Sequence, residues 1–322
     1  MGPLTLLVIG DPGAPQMELL KELPPEVKVV VSDDPAQLQA AAPSADVLLN
    51  GGFHSDLFRK IFPLAVNARW VHNMSTGVEG ILTPEVVASH IPLTNGRGVF
   101  SEVLAEFVAG AVLYFAKDFR RMIRSQEAGR WDQFDILPVK GATLAIAGYG
   151  HIGHACARLA SSLGMKILAL RRRAEASLED PLLSAVYTRD RMLEMLARCD
   201  YLLIAAPLTP ETEGMIGERE IEALRPDAVL INIGRGPVVV ETALIRALQQ
   251  RRIKGAALDV FDEEPLPVGH PFYALDNVLL SPHCADHLPG WVNLAMMKFL
   301  ENFRRFWNGQ PLENIVDKKA GY

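Results

Sequence analysis

Cysteine is scarce in this chain, and the three present, Cys156, Cys199 and Cys284, are odd in number and far apart. That pattern argues against a disulfide framework and for a reducing compartment. An excess of basic charge is lacking too: 32 Lys and Arg against 38 Asp and Glu leave a formal net charge of −6. General attraction to nucleic acid or to an acidic membrane is therefore not expected. No apolar run reaches membrane-spanning length. The stretch Leu4–Ile9 follows no basic region and is too short for the apolar core of a signal peptide. Low-complexity segments and short-period repeats are also missing. The expectation is a soluble cytoplasmic protein with no nucleic-acid and no membrane partner.

What is present is apolar material for more than one core: 322 residues at 49% hydrophobic content make two domains the natural prior. Short apolar runs alternate with amphipathic segments, the pattern of strand–helix units around a parallel sheet. Strands are expected at 4–9, 27–31, 47–49 and 70–72, with helices at 55–62 and 79–89. A longer helix should follow, with Ser101 as N-cap, Glu102 at its positive start, Arg120, Arg121 and Arg124 at its negative end and Gly129 as its stop. Its wide apolar stripe, including Leu104, Val108, Ala111 and Phe115, predicts burial. A second series has strands at 143–147, 166–170, 201–206, 228–233, 256–260 and 278–280, with helices at 152–163 and 242–250. Six strands in this rhythm suggest a doubly wound sheet. Residues 291–307 read as a helix returning to cover the first domain.

Gly148-Tyr149-Gly150-His151-Ile152-Gly153 follows an expected strand and opens an expected helix, the context that gives GxGxxG its meaning. Gly148 suits the tight turn, Gly150 lets a pyrophosphate approach the backbone, and Gly153 lets the helix pack closely on the strand. Free N–H groups at the helix start would hold the phosphates. The second strand of such a unit ends where an adenosine ribose lies, and an Asp or Glu there normally accepts from its hydroxyls. Here the stretch KILALRRRAE, residues 166–175, puts Arg171 at that place, followed by Arg172 and Arg173. A guanidinium offers a 2′-phosphate paired, charge-assisted hydrogen bonds where a carboxylate would repel it. The expected cofactor is NADP(H) in preference to NAD(H); the bland alternative for the arginines is a solvated basic turn.

A nicotinamide enzyme acting on a carbonyl needs an acid for the oxygen and usually a cation to hold the substrate. Three segments at successive strand ends offer candidates: Asn232-Ile233-Gly234-Arg235-Gly236, Asp259-Val260-Phe261-Asp262-Glu263-Glu264-Pro265 and Ser281-Pro282-His283-Cys284. Glycines on both sides of Arg235 would let its backbone come near a bound molecule. Together with Leu93-Thr94-Asn95, Leu104-Ala105-Glu106, the glycine loop and Ala206-Pro207-Leu208-Thr209-Pro210-Glu211-Thr212, these segments resemble, in order and spacing, the D-isomer-specific 2-hydroxyacid dehydrogenase family through most of the chain.

The resemblance implies an α/β fold of two Rossmann-like lobes with parallel sheets. A dinucleotide-binding domain, 99–285, would be inserted between the first part of a flavodoxin-like substrate-binding domain, 1–98, and a C-terminal helix that returns to it, 286–322. A homodimer is usual. The implied reaction is reduction of a small 2-oxo acid to the D-2-hydroxy acid, with His283 as general acid, Glu264 as its orienting partner and Arg235 as the clamp on substrate carboxylate and carbonyl. Ser75, Thr76, Gly77 and Val78 occupy the place of the family's loop that offers N–H groups to the substrate, and an Arg235 contact from the other lobe would then require closure. Pro207, Thr212, Ile233, Gly234 and Ala285 would line the cofactor, and Asp259 would face the nicotinamide amide. Residue chemistry agrees: a carboxylate beside imidazole favours the protonated ring needed to reduce a ketone, and a planar guanidinium fits a 2-oxo acid.

Some positions depart from the pattern. A formate dehydrogenase of the same superfamily carries Gln where Glu264 stands, so formate is discounted. His283-Cys284-Ala285-Asp286-His287 looks like a metal cluster, but Pro282 and Pro289 interrupt it and no distant ligand set accompanies it; no metal is expected. Cys284 and His287 make the mouth of the site unusual, with His287 read as a helix-start residue or a substrate selector. Asn50-Gly51-Gly52 is a second wall or a turn, and Gly96-Arg97-Gly98 a further cation near the cleft. Glyoxylate and hydroxypyruvate are the expected substrates by analogy with arginine-bearing relatives. The alternatives are an NAD-dependent 3-phosphoglycerate dehydrogenase, for which no room is left for a regulatory domain after Tyr322, and a nucleotide-sensing, corepressor-like binding protein, for which no long disordered tail is seen.

Overall fold

In the computed structural model, which describes residues 4–51, 54–172 and 179–322, the chain forms two units, Met1–Val99 with Leu288–Tyr322, and Phe100–His287. In the first, β1 (Leu4–Ile9), β2 (Val27–Ser32), β3 (Val47–Asn50), β4 (Trp70–Asn73) and β5 (Leu93–Asn95) form a parallel sheet in the order β2-β1-β3-β4-β5. Every residue of β3, β4 and β5 is buried, as expected for parallel strands covered on both faces. The connecting helices are α1 (Pro35–Ala41), capped by Asp34 accepting from Gln37 N–H at 2.8 Å, α2 (Ser55–Ile61) and α3 (Pro84–Ala88). The helix read over 79–89 is shortened to α3 because Pro84 stands at its first turn and Thr83 caps it.

The second unit opens with α4 (Ser101–Lys117) and α5 (Phe119–Glu127) where one helix is expected. Asp118 takes a left-handed conformation, φ 50°, ends α4 and caps α5 by accepting from Arg121 N–H at 3.3 Å. Arg120, Arg121 and Arg124 therefore lie on α5, where Arg121 pairs with Asp132 and Arg124 with Asp276. Ser101 is not the N-cap; Phe100 holds that place and the Ser101 hydroxyl is buried without a hydrogen-bond partner among the described residues. Gly129, φ 60°, follows the end of α5.

Then come β6 (Thr143–Ala147), α6 (His151–Ser162), β7 (Lys166–Leu170), β8 (Ala185–Tyr187), α7 (Met192–Leu196), β9 (Tyr201–Ile204), α8 (Glu218–Ala223), β10 (Val229–Asn232), α9 (Glu241–Gln249), β11 (Gly255–Leu258), α10 (Pro271–Ala274) and β12 (Val278–Leu280). Their parallel order is β12-β11-β10-β9-β6-β7-β8. The chain leaves β6 in one direction for β7 and in the other for β9, and a crevice at the carboxyl ends of strands forms at such a switch point. The edge strand β8 has no counterpart in the sequence reading, because three residues, half-buried Ala185 and Val186 and buried Tyr187, are too few to carry a periodicity. Leu202, Ile204, Leu230 and Leu258 from the central strands pack into one core with Leu244 and Leu248 of α9.

The final helix, α11 (Trp291–Trp307), belongs to the first unit and buries Ala295, Met296, Phe299, Leu300 and Phe303. Trp70 of β4 stacks on Phe299 at 5.4 Å between centroids and lies 5.3 Å from Phe306.

Candidate active site

The turn from β6 to α6 shows what each glycine is for. Gly148 has φ 101°, and a Cβ there would lie 2.5 Å from Ala206 N, while one on Gly153 would lie 2.5 Å from the Gly148 carbonyl oxygen. Both close approaches require glycine. A Cβ on Gly150 would meet nothing within 4 Å, so its open face stands at the start of α6, where the first N–H groups have no helical acceptor. Tyr149, His151 and Ile152 complete this turn. An open glycine at a helix start, where the first N–H groups lie beyond the reach of helical carbonyls, is a surface a pyrophosphate fits.

Arg171 directly follows β7, and Gly148 N–H donates to Leu170 O at 3.4 Å, so the glycine turn adjoins the strand end that carries the arginine. Its guanidinium lies 5.8 Å from the Tyr149 ring centroid. Burial and then the 2.8 Å bond from its hydroxyl to Asp180 push the Tyr149 phenol up, so it keeps its proton. Arg172 lies 3.7 Å from Glu211, both well exposed, a pairing of little energetic weight. Arg173 falls outside the described residues.

The candidate acid and its partner come together across two loops. Glu264, after β11, accepts from Phe261 N–H at 2.9 Å through Oε1 and pairs through Oε2 with His283 Nδ1 at 2.6 Å. Nδ1 is thereby engaged, which leaves Nε2 as the nitrogen that can exchange a proton with a substrate. His283 stands at φ 50° in the left-handed region, a conformation rarely held without a local reason. The Glu264 hydrogen bond, opposed by burial, raises the His283 pKa above its ordinary value. Burial would raise Glu264, yet its bonds to His283 and Phe261 N–H and the charges of His283 and Arg235 hold the carboxyl below its usual range.

Arg235 follows β10, with Asn232 Nδ2 donating to its carbonyl at 3.0 Å and its own Nη1 to Gly234 O at 2.7 Å. Its charge registers at both Glu264 and His283. The flanking glycines serve the protein chain: a Cβ on Gly234 would lie 2.7 Å from Ala206 O, and one on Gly236 only 2.0 Å from the Phe261 carbonyl carbon. Close protein packing is thus by itself a reason for both glycines. Ile233 is buried beside them.

Asp259 is buried, and its Oδ1 accepts from Ser281 Oγ at 2.5 Å, Cys284 N–H at 3.0 Å and Ala285 N–H at 3.1 Å. It fastens the turn that presents His283. The Thr212 hydroxyl donates to Pro207 O at 2.6 Å and accepts from Thr209 N–H at 2.8 Å, closing the loop after β9. His287 is four residues short of α11, so it is not a helix-start residue; it pairs with Asp286 at 3.7 Å. Cys284 is exposed, whereas burial pushes the Cys156 and Cys199 thiols up to about 12. Among the described residues no group of three or more His, Cys, Asp or Glu stands together as a metal site.

In the first unit Ser75, Thr76 and Gly77 form a half-buried loop after β4, and Val78 is buried. Asparagines that sequence reasoning left without a role hold this loop: Asn73 Nδ2 donates to Gly77 O at 2.8 Å and Asn95 Nδ2 to Thr76 O at 2.6 Å. The signal was available, since the apolar runs of β3, β4 and β5 each end in Asn. Gly96 has Met74 O where a Cβ would sit, at 2.2 Å, and Arg97 Nε is buried without a hydrogen-bond partner among the described residues. Gly52 lies outside the described residues.

A family model described as D-isomer specific 2-hydroxyacid dehydrogenase, NAD binding domain, matches residues 109–285. The chain is 34% identical to a glyoxylate reductase of Thermococcus gammatolerans, over 81% of this chain and 80% of that protein. It is 36% identical to a glyoxylate reductase of Aeropyrum pernix, over 80% and 78% of the two chains. A crystal structure of an NADPH-dependent glyoxylate/hydroxypyruvate reductase from Sinorhizobium meliloti, in complex with NADP and sulfate, covers all of both chains with a TM-score of 0.84 at 26% identity.

Proposed function

Since the chain belongs to the D-isomer specific 2-hydroxyacid dehydrogenase family, whose members are oxidoreductases using a nicotinamide cofactor, we propose that it reduces glyoxylate or hydroxypyruvate to the D-2-hydroxy acid and prefers NADPH. The observation that carries the reaction is the 2.6 Å pair of His283 and Glu264. The cofactor, when bound, supplies the hydride for the carbonyl carbon. The protonated His283 ring gives the proton at Nε2 to the carbonyl oxygen, and Glu264 holds Nδ1–H so that the ring keeps its orientation. Arg235 offers its fork to the substrate carboxylate and carbonyl, and the loop of Ser75, Thr76, Gly77 and Val78 offers backbone N–H groups to the carboxylate.

The turn Gly148, Tyr149, Gly150, His151, Ile152, Gly153 is assigned to the pyrophosphate, and Pro207, Thr212, Ile233, Gly234, Asp259 and Ala285 to the remainder of the dinucleotide. Arg171, with Arg172 beside it, is assigned to the 2′-phosphate; its position next to the glycine turn supports this reading, as does the NADP in the similar reductase. A panel of 2-oxo acids assayed by loss of NADPH and of NADH absorbance tests the proposal. Turnover of glyoxylate or hydroxypyruvate, faster with NADPH, is the expected result. Tight NADPH binding with no turnover of any member would favour the corepressor-like reading instead.

Among the described residues no helix is long and apolar enough to cross a membrane. The three free cysteines support a reducing, cytoplasmic setting. A homodimer is supported by apolar side chains exposed on one stretch of the second unit, Phe119, Met122, Ile123, Trp131, Ile136 and Leu137, with Trp131 92% exposed. Sedimentation of wild-type protein and Trp131→Glu, which should shift toward monomer, tests it.

A further inference from the structure

We propose that Asn50, Asn73 and Asn95 form a side-chain ladder that turns the loop after β4 into a row of N–H donors, and that they are positioning residues for the substrate carboxylate. This rests on the substrate role proposed for that loop. The three close β3, β4 and β5 in one register row, Asn50 beside Asn73 and Asn73 beside Asn95. Each is 3% exposed, so their amides depend on partners within the protein, and all find one except Asn50 Oδ1, which has none among the described residues.

The bonds run in one direction. Asn50 Nδ2 donates to Asn73 Oδ1 at 2.8 Å, Asn73 Nδ2 to the carbonyls of Ser75 at 3.2 Å and Gly77 at 2.8 Å, and Asn95 Nδ2 to Thr76 O at 2.6 Å. Accepting on one side and donating on the other fixes the orientation of the Asn73 amide. Gly96 N–H adds a bond to Ser75 O at 3.2 Å. Three successive carbonyls are thus tied to the sheet end. In a planar trans peptide each C=O points opposite to the N–H of the next residue, so the N–H groups of Thr76, Gly77 and Val78 are turned away from the asparagines. None of these N–H groups has an acceptor among the described residues. Donors held in place beforehand by the fold suit an anionic oxygen. Amides are the fitting choice for the ladder, since carboxylates would face the loop carbonyls and repel the substrate.

The test uses the whole protein, glyoxylate as substrate, and oxamate, an unreactive isostere of a 2-oxo acid, as binding probe on the NADPH-loaded enzyme. Asn73→Asp keeps the size and the acceptor for Asn50 but removes the donor. It should raise both the KM for glyoxylate and the Kd of oxamate by about tenfold or more, with kcat changed by less than about threefold and NADPH affinity unaltered. Asn95→Asp should behave alike, and Asn50→Ala, one rung further away, should cost about threefold. If one variant fails to fold, the other two decide. Oxamate Kd values within about twofold of wild type in the folded variants overturn the ladder, and so does a parallel loss of NADPH affinity, which marks general damage. Failure of the underlying reading is seen separately, in wild-type protein that neither reduces glyoxylate nor binds oxamate.

Discussion

Strand β4 of the first sheet and the turn after β12 of the second each carry a histidine, and the two are physical opposites. His72 is fully buried, its Nδ1 lies 2.7 Å from the Thr94 hydroxyl, and its Nε2 has no hydrogen-bond partner among the described residues. Burial, and next the charge of Lys298, lowers its pKa to about 3. His283 is about half exposed, meets a carboxylate at 2.6 Å and has its pKa raised. A hydroxyl partner in a dry core locks one ring neutral, while a carboxylate at a wet edge keeps the other ready to hold a proton. The contrast extends to the neighbouring strand ends. Those of the first sheet carry Asn50, Asn73 and Asn95, all neutral, whereas those of the second carry or lead into Arg171, Arg235, Asp259 and His283.

Removing each histidine in turn breaks the comparison most sharply. His283→Ala should lower kcat by about a hundredfold or more, the range of a lost general acid, with NADPH affinity kept. Single-turnover measurement of NADPH oxidation checks this; a loss below about tenfold would leave the acid role to another group. Arg171→Asp tests the charged strand ends at the cofactor. It should move the ratio of kcat/KM for NADPH over NADH by about tenfold to a hundredfold toward NADH, and an unchanged ratio would reduce Arg171 to a surface cation.

Glu264→Gln makes the partner of His283 as uncharged as that of His72. With His283 as the proposed acid, wild-type reduction should need the protonated ring and so decline as pH rises through the raised His283 pKa, while the reverse reaction gains. With the carboxylate gone, burial and Arg235, which lower the pKa, outweigh the charge of Asp259, which raises it. The alkaline limb of kcat/KM for reduction should therefore move to lower pH, with kcat near neutrality down about tenfold. A pH profile with an unmoved limb would detach Glu264 from the proton chemistry.

What the sequence reveals depends on how local its cause is. The glycine turn, the strands β6 and β7, and α11 are legible because a tight turn, an apolar run or a 3.6-residue stripe is written within a few residues. The pairing of Glu264 with His283 is legible through the family resemblance, since the two lie 19 residues apart and meet only when β11 and β12 lie side by side. The break at Asp118 is not legible: the apolar stripe continues past it, and only the turn to bond Arg121 N–H marks the kink. The packing reason for Gly234 and Gly236 is not legible because the backbones that crowd them, at Ala206 and Phe261, follow the ends of other strands. The asparagine ladder escapes notice for the same reason, as its meaning lies in register between strands.

The smallest effect concerns His72 and appears in stability alone. Folded His72 takes a proton only near pH 3, an unfolded histidine near 6.5. Below 6.5 the unfolded chain binds the extra proton, so this contribution to stability is whole above 6.5 and falls by about 1.4 kcal/mol per pH unit down toward 3. Carboxylates also titrate there, but equally in wild type and in His72→Phe, so the difference between the two isolates the ring. Denaturant unfolding across about pH 7.5 to 4.5 should show the wild type ahead by about 1 kcal/mol at the alkaline end, where the bond to Thr94 counts. The variant should draw level and pass it on the acid side. Parallel curves would mean that His72 is protonated in the folded state, and the opposition between the two histidines would then rest on hydrogen-bond partners alone.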